Sequence, residues 1–567
     1  MNTKYPAGTF ILRRPPRMLL LAAAAVAGLV GCGESPTPPP VERATETASA
    51  QPVAAKKIEP GPTVATRAGD VRGFIEDGII VFKGVRYGAD TAQTRFAAPM
   101  PPAPWSEVRD ARNYGASAPQ EPYPPGTAGG LFESWATDPA PPNSEDTLFL
   151  NVWTPALRDG RKRPVMVWFH GGGFSRGSGS SNAYDGIRLA RRGDVVVVTV
   201  NHRLNLFGHL YLAKYGQQFT HSGNAGVLDL VLSLEWVRDN IETFGGDPAN
   251  VTIFGESGGG SKVSVLMAMD NAKGLFHRAV IESGGRLENT DRETAAEGTQ
   301  RVVEALGLTQ ETIGEILTMP VSRLQRAATD VIAAGHRPTW NGPVYDRVNF
   351  RRQPFVPDAP AQATDVPLLI GTTRTEASLF IGARDPATFD LSWETLPEAL
   401  ARSLPNADID RVITQYRRIN PDYSPSDLLF TAATDAGFLL RSVQIADRKA
   451  DQAGAAVYFY MLNWETPVQG GKWRSPHALE IGMVFDNVAK SASMSGTGEE
   501  QQAIADMMSE SWLAFARSGD PNNSVIPHWP PYTREQRSMM LFDIVPEVKI
   551  DPHGEQRSVF ETDSASD

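Results

Sequence analysis

Residues 255–259 (Gly-Glu-Ser-Gly-Gly) constrain the fold of this chain more than any other feature. A β-branched run at 251–254 precedes them, and residues 262–267, which favour a helix, follow. A serine between a strand and a helix needs glycine neighbours, because side chains there would obstruct the close approach of the two backbones. The pattern predicts an α/β fold with Ser257 as a nucleophile at the carboxyl edge of a sheet. A structural turn is the alternative, because Gly-x-Ser-x-Gly alone is a common pattern.

A second glycine-rich segment follows an apolar run. Residues 164–169 read as a buried parallel strand and lead into His170 and three glycines at 171–173. Successive glycines leave backbone N–H groups bare, as an oxyanion hole requires. A phosphate cradle is the alternative, but no Gly-Lys-Ser/Thr follows. We assign His170 to the packing of the loop and not to catalysis.

Several further motifs occur in a fixed order along the chain, and together they resemble type-B carboxylesterases of the α/β-hydrolase superfamily, which include the cholinesterases. The resemblance covers roughly residues 64–545. It implies an α/β-hydrolase fold, with a large, mostly parallel central sheet flanked by helices and with helical cap insertions. The motifs lie at 82–88 (Phe-Lys-Gly-Val-Arg-Tyr-Gly), 144–155 (Ser-Glu-Asp-Thr-Leu-Phe-Leu-Asn-Val-Trp-Thr-Pro), 201–208, 223–229 and 512–522.

The resemblance implies a complete catalytic site. Ser257 matches the nucleophile, and Gly172 and Gly173 with the N–H of Gly258 match the oxyanion donors. Glu376 stands where the family places the acid, just past the apolar run at 366–370. Asp365 precedes that run and would lie at the wrong edge of the sheet, since such folds gather their sites at the carboxyl ends of strands.

The base should come last in the chain. Only His477, His528 and His553 follow Glu376. His528 lies in a Pro-His-Trp-Pro segment and His553 in the polar tail, whereas residues 475–480 (Ser-Pro-His-Ala-Leu-Glu) resemble the family's histidine motif. His477 is therefore the expected base, and the order Ser, Glu, His is the one this superfamily uses.

These roles imply serine-dependent hydrolysis of carboxylic esters through an acyl-enzyme intermediate. The chemistry needs no metal and no organic cofactor. Amidase or thioesterase activity on the same triad stays open. A non-enzymatic cell-surface binding protein of the same fold is a further alternative, which the intact Ser257, Glu376 and His477 disfavour.

The resemblance also marks supporting positions. Ser283 resembles a family serine that contacts the triad acid, with a plain turn serine as the alternative. Glu256 resembles the residue beside the nucleophile in cholinesterases. Trp135 stands near their cation-binding tryptophan, although a packing role is the simpler interpretation. Ala118 and Thr147 occupy the positions of the family's disulfide. We therefore expect the loop between them to lack a disulfide cross-link and to shape the mouth of the pocket.

The first residues of the chain predict export. Four basic residues precede thirteen apolar residues at 18–30, too few to span a bilayer permanently. The single cysteine, Cys32, follows Leu-Val-Gly, which resembles the lipobox of bacterial lipoproteins. We therefore expect a lipoprotein signal peptide at 1–31, a disordered tether at 32–63 and a carboxylesterase catalytic domain at 64–567. The mature protein would be lipid-anchored to a bacterial membrane, at the outer membrane or periplasm and not the inner membrane.

Composition fits an exported enzyme. The net charge of −11 falls to about −15 when the four basic residues of the signal are removed, which argues against nucleic-acid binding. The expected partner is a small-molecule ester, and membrane contact is expected through the N-terminal lipid only. The oligomeric state is left open. The segments 291–334 and 392–451 are rich in helix-forming residues and are candidates to cap the pocket, within one catalytic domain.

Overall fold

In the computed structural model, which describes residues 58–121 and 126–561, thirteen strands form one sheet and two short strands form another. The strands are β1 (Ile58–Ala65), β2 (Asp70–Glu76), β3 (Ile79–Arg86), β4 (Arg109–Asp110), β5 (Phe149–Thr154), β6 (Arg163–Phe169), β7 (Val196–Val200), β8 (Gly246–Glu256), β9 (Arg278–Glu282), β10 (Thr290–Asp291), β11 (Val344–Tyr345), β12 (Leu368–Thr373), β13 (Val457–Leu462), β14 (Ser538–Phe542) and β15 (Glu547–Ile550).

The large sheet is parallel in its centre and antiparallel toward both edges. Its order is β1-β2-β3-β5-β7-β6-β8-β9-β12-β13-β14-β15, with β4 beside β2, while β10 pairs with β11. The pairs from β7 to β14 are all parallel, and the pairs of β1–β2, β2–β3, β3–β5, β5–β7 and β14–β15 are antiparallel. The predicted large, mostly parallel sheet is confirmed.

Fifteen α-helices connect the strands of the described chain, with short 3₁₀ turns between them. They are α1 (Ile187–Gly193), α2 (Asn205–His209), α3 (Ala225–Asn240), α4 (Gly258–Met267), α5 (Arg292–Ala305), α6 (Val321–Ala333), α7 (Glu376–Arg384), α8 (Leu396–Ser403), α9 (Ile409–Ile419), α10 (Pro425–Thr434), α11 (Leu440–Ala450), α12 (Glu480–Val484), α13 (Ala492–Ser495), α14 (Glu499–Ser518) and α15 (Gly554–Arg557). A π-helical turn, Asp435–Leu439, joins α10 to α11.

Both faces of the sheet are covered, and the alternation of side chains along each strand explains why. In β6, Val165 and Val167 pack into a core with residues of α3, α4 and α11. Met166 and Trp168 point to the opposite face, into a second core with residues of α1, α12 and α14. Strands buried on both faces are apolar throughout, which is why 164–169 reads as a continuous apolar run.

The two helix-rich segments form satellite clusters beside the sheet. Residues of α5 and α6 pack with the 206–219 segment around Trp340. Residues of α8, α9 and α10 form another cluster with Val559 and Phe560 packed against it. The helices expected at 291–334 and 392–451 are present, but the described walls of the pocket come from other segments, given below.

The expected boundary of the tether at residue 63 was wrong. Strand β1 begins at Ile58 and pairs antiparallel with β2, with a bulge between Pro60 and Thr63. Prolines are tolerated there because β1 is the edge strand of the sheet, where N–H groups on the outer side need no partner. The predicted signal peptide at 1–31, Cys32 and the tether before residue 58 lie outside the described residues. Within those residues no helix has the length and apolar character needed to cross a membrane.

Buried ion pairs connect three of the recognised motifs, 201–208, 223–229 and 144–155, to each other or to the rest of the fold. Arg203 binds both carboxylate oxygens of Asp229, with its closest contact at 2.6 Å, and donates to the carbonyl of Ala97. Arg95 pairs with Glu145 in a two-pronged arrangement. Removing one partner of such a pair would leave an uncompensated buried charge, which is strongly destabilising. These motif residues therefore support the fold.

Candidate active site

Four neighbouring strands deliver the candidate residues to one edge of the sheet. The order β6-β8-β9-β12 places the ends of these strands side by side. The chain leaves them at His170, Ser257, Ser283 and Arg374, and Glu376 begins α7 two residues later. Because parallel strands share one carboxyl edge, the site is a direct consequence of the sheet topology.

Ser257 occupies a strained turn between β8 and α4. Its φ of 57° and ψ of −120° are unusual for a residue with a side chain. A Cβ on Gly255 would lie 2.5 Å from the carbonyl oxygen of Phe169, and one on Gly259 would overlap the same atom. The packing of β8 and α4 against the end of β6 thus explains why glycines flank Ser257.

The glycine loop after β6 lies directly beside the nucleophile. Gly172 and Gly173 have φ values of 79° and 65°, which favour glycine. A Cβ on Gly258 would lie 2.5 Å from the nitrogen of Gly173, so the two backbones are in close contact. Within the described chain, the N–H groups of Gly172 and Gly173 donate to no protein acceptor. The three expected oxyanion donors are therefore brought together.

Among the three candidate histidines, His477 is the one in contact with Glu376. Its Nδ1 lies 2.5 Å from Glu376 Oε2, while Glu376 Oε1 accepts from the N–H of Thr373 at 2.8 Å. The rings of Phe380 and Phe438 flank the imidazole at 4.7 and 5.3 Å. Both His477 and Glu376 are buried, which holds the ring in one orientation.

Glu256 contacts the other side of the same ring. Its Oε1 lies 3.1 Å from His477 Nε2, and its side chain is buried. Burial raises the pKa of Glu256 well above its ordinary value. Burial disfavours the charged form of His477, but the carboxylates of Glu256 and Glu376 outweigh it and raise the pKa of the ring to about 9. Glu256 thus has an electrostatic effect on the expected base.

The expected contact of Ser283 with the triad acid was wrong. Ser283 adopts a left-handed conformation at the end of β9, and its Oγ donates to Glu480 Oε1 at 2.6 Å. Glu480 is buried, and burial, then the charge of Glu376, raises its pKa to about 7. Ser283 therefore binds the carboxylate next to the acid and not the acid itself. Glu480 lies within the recognised histidine motif, but nothing in its spacing indicated this partner.

A cavity of about 1290 Å³ opens above Ser257 and His477. Among the described residues, its walls include Phe132, Trp135 and Tyr184, with Leu379 and Phe380 of α7 opposite. Charged side chains line it as well, namely Glu121, Glu133, Arg176 and Arg384. The cavity therefore combines aromatic and aliphatic side chains with charges of both signs in its lining.

Trp135 is 8% exposed and serves mainly as packing. Its ring meets those of Phe132 and Tyr184 edge-on, at 4.9 and 6.1 Å between centroids.

The expected role of the surrounding loop in shaping the pocket is confirmed, since residues 117–143 supply much of the lining. Without a disulfide, hydrogen bonds close this loop: Ser144 N–H donates to the carbonyl of Ser117, and Thr147 Oγ1 donates to that of Ala116.

His170 belongs to the packing of its loop, as expected, and Lys262 is a buried residue near the site that the sequence did not indicate. His170 is buried and stacks on His202 with 5.0 Å between centroids. Burial and the nearby Lys262 hold the pKa of His170 well below its usual range, so the ring is neutral. Lys262 is itself buried in α4, five residues after Ser257. A lysine so near the turn was the only available signal.

Comparison with known proteins identifies the family of this chain. The model of the carboxylesterase family matches residues 60–559. The para-nitrobenzyl esterase of Bacillus subtilis is 35% identical over 503 residues, covering 87% of this chain and 97% of the relative. Phenmedipham hydrolase of Pseudarthrobacter oxydans is 32% identical, covering 85% and 94%.

Solved structures lead to the same conclusion. A carboxylesterase of Geobacillus stearothermophilus superposes with a TM-score of 0.76 and is 37% identical, covering 88% of this chain and all of its own. An esterase of Clostridium hathewayi, described as hydrolysing aliphatic aromatic polyesters, superposes with a TM-score of 0.76 at 34% identity and covers 89% and 99%. The chain belongs to the carboxylesterase family, has the α/β-hydrolase fold and is a carboxylic ester hydrolase.

Proposed function

We propose that Ser257, Glu376 and His477 form the catalytic triad of this esterase. The observation that carries the proposal is the convergence of the strained Ser257, the glycine loop and the Glu376–His477 contact of 2.5 Å at one edge of the sheet. No hydrogen bond joins Ser257 Oγ to the ring within the described residues. Such bonds are often long before substrate binds and tighten afterwards.

The mechanism follows from these positions. His477 takes the proton of Ser257 as the hydroxyl attacks the ester carbonyl, and Glu376 stabilises the resulting imidazolium. The N–H groups of Gly172, Gly173 and Gly258 donate to the tetrahedral oxyanion. His477 then protonates the leaving alcohol, and water repeats the sequence to release the acid.

Substitution of Ser257 tests this assignment. Ser257→Ala should lower kcat for p-nitrophenyl butyrate by at least about 10⁴-fold, because nucleophilic catalysis is lost. A fluorophosphonate should label wild-type protein at Ser257 alone, as mass spectrometry of peptides would show. Ser264→Ala, in the same helix, is the matched control and should keep activity within a few fold. A fully active Ser257→Ala protein would refute the triad.

We propose further that the substrates are neutral esters with acyl chains of about two to eight carbons. The aromatic and aliphatic lining favours each added CH₂ by about 0.8 kcal/mol until the pocket is filled. The names of the relatives, a para-nitrobenzyl esterase and an esterase of aliphatic aromatic polyesters, favour an aromatic group on one side of the ester. The chain's acidic balance disfavours polyanionic substrates, weakly at physiological salt.

A series of p-nitrophenyl and benzyl esters measures this preference. We expect kcat/KM to reach its maximum between two and eight acyl carbons, with little activity on emulsified triolein. Thioester analogues belong in the series, since a medium-chain fatty acyl-CoA hydrolase of Anas platyrhynchos is 32% identical to this chain. Interfacial activation on triolein, or a maximum beyond about sixteen carbons, would contradict this view of the pocket.

We also propose that the enzyme is an exported lipoprotein, attached through Cys32 to the outer membrane. Cys32 is the only cysteine in the sequence, and it follows an apolar segment at the position where a lipobox needs a thiol. Gly33 differs from the aspartate associated with inner-membrane retention in enteric bacteria. These are features of the sequence alone, because Cys32 lies outside the described residues.

A further inference from the structure

Lys262 is a buried cation for which the triad mechanism has no role. It lies in α4 with none of its surface exposed. Burial lowers its pKa to about 7, against the opposing effect of Glu256. A buried ammonium is costly unless hydrogen bonds compensate it, so its partners indicate what it does.

Those partners are the two ends of the oxyanion loop. Lys262 Nζ donates to the carbonyl of His170 at 2.7 Å and to the carbonyl of Gly173 at 2.9 Å. It also lies 5.2 Å from the centre of the Phe174 ring. One ammonium group therefore spans the whole glycine segment from its first residue to its last.

Every carbonyl of this segment has a donor. His170 Nδ1 lies 2.9 Å from the carbonyl of Gly171, and the N–H groups of Ser175 and Arg176 donate to that of Gly172. Lys262 supplies the donors for the other two carbonyls. The N–H groups of Gly172 and Gly173 share their peptide units with the Gly171 and Gly172 carbonyls, which the first two sets of donors hold. Lys262 fixes the peptide unit on either side of these two, so that both ends of the loop are held.

We propose that Lys262 is a positioning residue that holds the oxyanion loop in its active geometry. Glycines have the largest backbone freedom of all residues, and an oxyanion hole works only if its donors are in place before the reaction. The two hydrogen bonds from the buried Lys262 restrict the backbone freedom of the glycines between His170 and Gly173. This inference rests on the proposed role of Gly172 and Gly173 as oxyanion donors.

The test compares Lys262→Met with Lys449→Met in the full-length protein. Lys449 is also buried and donates to one carbonyl, that of Thr364, at 2.9 Å, but it lies in α11 away from the cavity. Three quantities are measured for each variant: kcat/KM for p-nitrophenyl butyrate, the Ki of an alkyl trifluoromethyl ketone, and the Ki of benzyl alcohol. The ketone forms a tetrahedral adduct with the serine, whereas benzyl alcohol has no carbonyl and forms no such adduct.

We expect Lys262→Met to lower kcat/KM by about 10- to 100-fold, somewhat less than deletion of an oxyanion donor costs. The Ki of the ketone should rise by the same factor, while the Ki of benzyl alcohol stays within twofold. Lys449→Met should leave all three quantities within twofold, whatever its Tm. A Lys262→Met enzyme with kcat/KM and ketone affinity within twofold of wild type would overturn the proposal, and so would an equal loss of benzyl alcohol affinity.

A second variant covers the case in which Lys262→Met does not fold. Lys262→Gln keeps N–H donors without the charge and is compared in the same way. Equal losses of kcat/KM and ketone affinity would support the proposal, and a lowered Tm with both unchanged would overturn it. Failure of the proposed function is distinguishable, because Ser257→Ala would then stay active or wild type would not bind the ketone.

Discussion

The carboxylates around His477 decide the pH at which this residue can act as a base. Glu376 and Glu256 contact its two ring nitrogens at 2.5 and 3.1 Å. Burial opposes the charge on the ring, yet these two carboxylates raise its pKa to about 9. Only the neutral ring accepts a proton from Ser257, so kcat/KM should fall as the pH drops through this pKa. Because Glu256 also has a raised pKa, the acidic limb belongs to the pair.

Replacing Glu256 should therefore move the acidic limb. Glu256→Gln removes one of the carboxylates that raise the pKa of His477. The pKa of the ring should fall, and the acidic limb of kcat/KM should shift to lower pH by at least about one pH unit. A pH profile of p-nitrophenyl acetate hydrolysis measures the shift.

Glu282→Gln is the matched control for this profile. Glu282 is equally buried, burial raises its pKa, and its Oε1 accepts from Trp512 Nε1 at 2.6 Å, a bond that glutamine preserves. The acidic limb of kcat/KM for the Glu282→Gln variant should stay close to that of wild type. An unchanged limb in Glu256→Gln, or a shift to higher pH, would contradict the electrostatic role of Glu256.

At the scale of elements, the unit β8–turn–α4 combines the strain at Ser257 with tight packing against β6. The φ of 57° at Ser257 is unfavourable by itself, of the order of 1–3 kcal/mol, and only surrounding contacts maintain it. Those contacts include the approach of Gly255 and Gly259 to the carbonyl of Phe169. The conformation of Ser257 therefore depends on the absence of side chains at positions 255 and 259.

Gly259→Ala should disrupt this unit. Its Cβ would overlap the carbonyl oxygen of Phe169, which is backbone and cannot rotate away. We expect a loss of stability of about 1–3 kcal/mol and a drop in kcat/KM of at least about 100-fold, because the serine and the oxyanion loop move apart. Thermal unfolding and steady-state kinetics measure both effects.

Gly314→Ala provides the comparison for a glycine without close neighbours. A Cβ there meets no atom within 4 Å, and its φ is not in the left-handed region. This variant should keep full activity and equal or slightly higher stability, by up to about 1 kcal/mol. Equal Tm values for the two variants would argue against tight packing at Gly259.

For the whole molecule, the catalytic unit and the proposed anchor are separate parts of the chain. The described residues belong to one compact unit that includes β1, and the proposed signal and Cys32 precede it. The proposed triad spans residues 257 to 477 of this unit. Catalysis should therefore not depend on the lipid.

Cys32→Ser tests the anchor. We expect wild-type protein from a Gram-negative host to begin at Cys32, to carry acyl chains in mass spectra and to partition into detergent. Cys32→Ser should remain unprocessed or be released, with kcat/KM on a soluble ester unchanged. An unmodified N-terminus at another residue would refute the lipoprotein proposal.

Local sequence motifs predicted the parts of this protein that depend on a few neighbouring residues. The turn at Ser257 and the glycines at 172 and 173 were evident, because each reflects a backbone conformation that few residues tolerate. The strand before Glu376 was evident as an apolar run. The mostly parallel sheet followed from the family resemblance and from apolar runs buried on both faces. The end of the tether was misplaced, since an edge strand accepts prolines that otherwise suggest disorder.

Only the tertiary structure decided which side chains meet across long stretches of chain. Lys262 binds a carbonyl 92 residues before it, and Ser283 binds Glu480, 197 residues away, instead of Glu376. The cavity is walled by the 117–143 loop and α7, and not by the helices expected to cap it. Such contacts depend on how strands are ordered in the sheet, and buried polar groups take whichever partner that order brings within reach. The sequence by itself determined the strained turn at Ser257, and the order of the strands determined its surroundings.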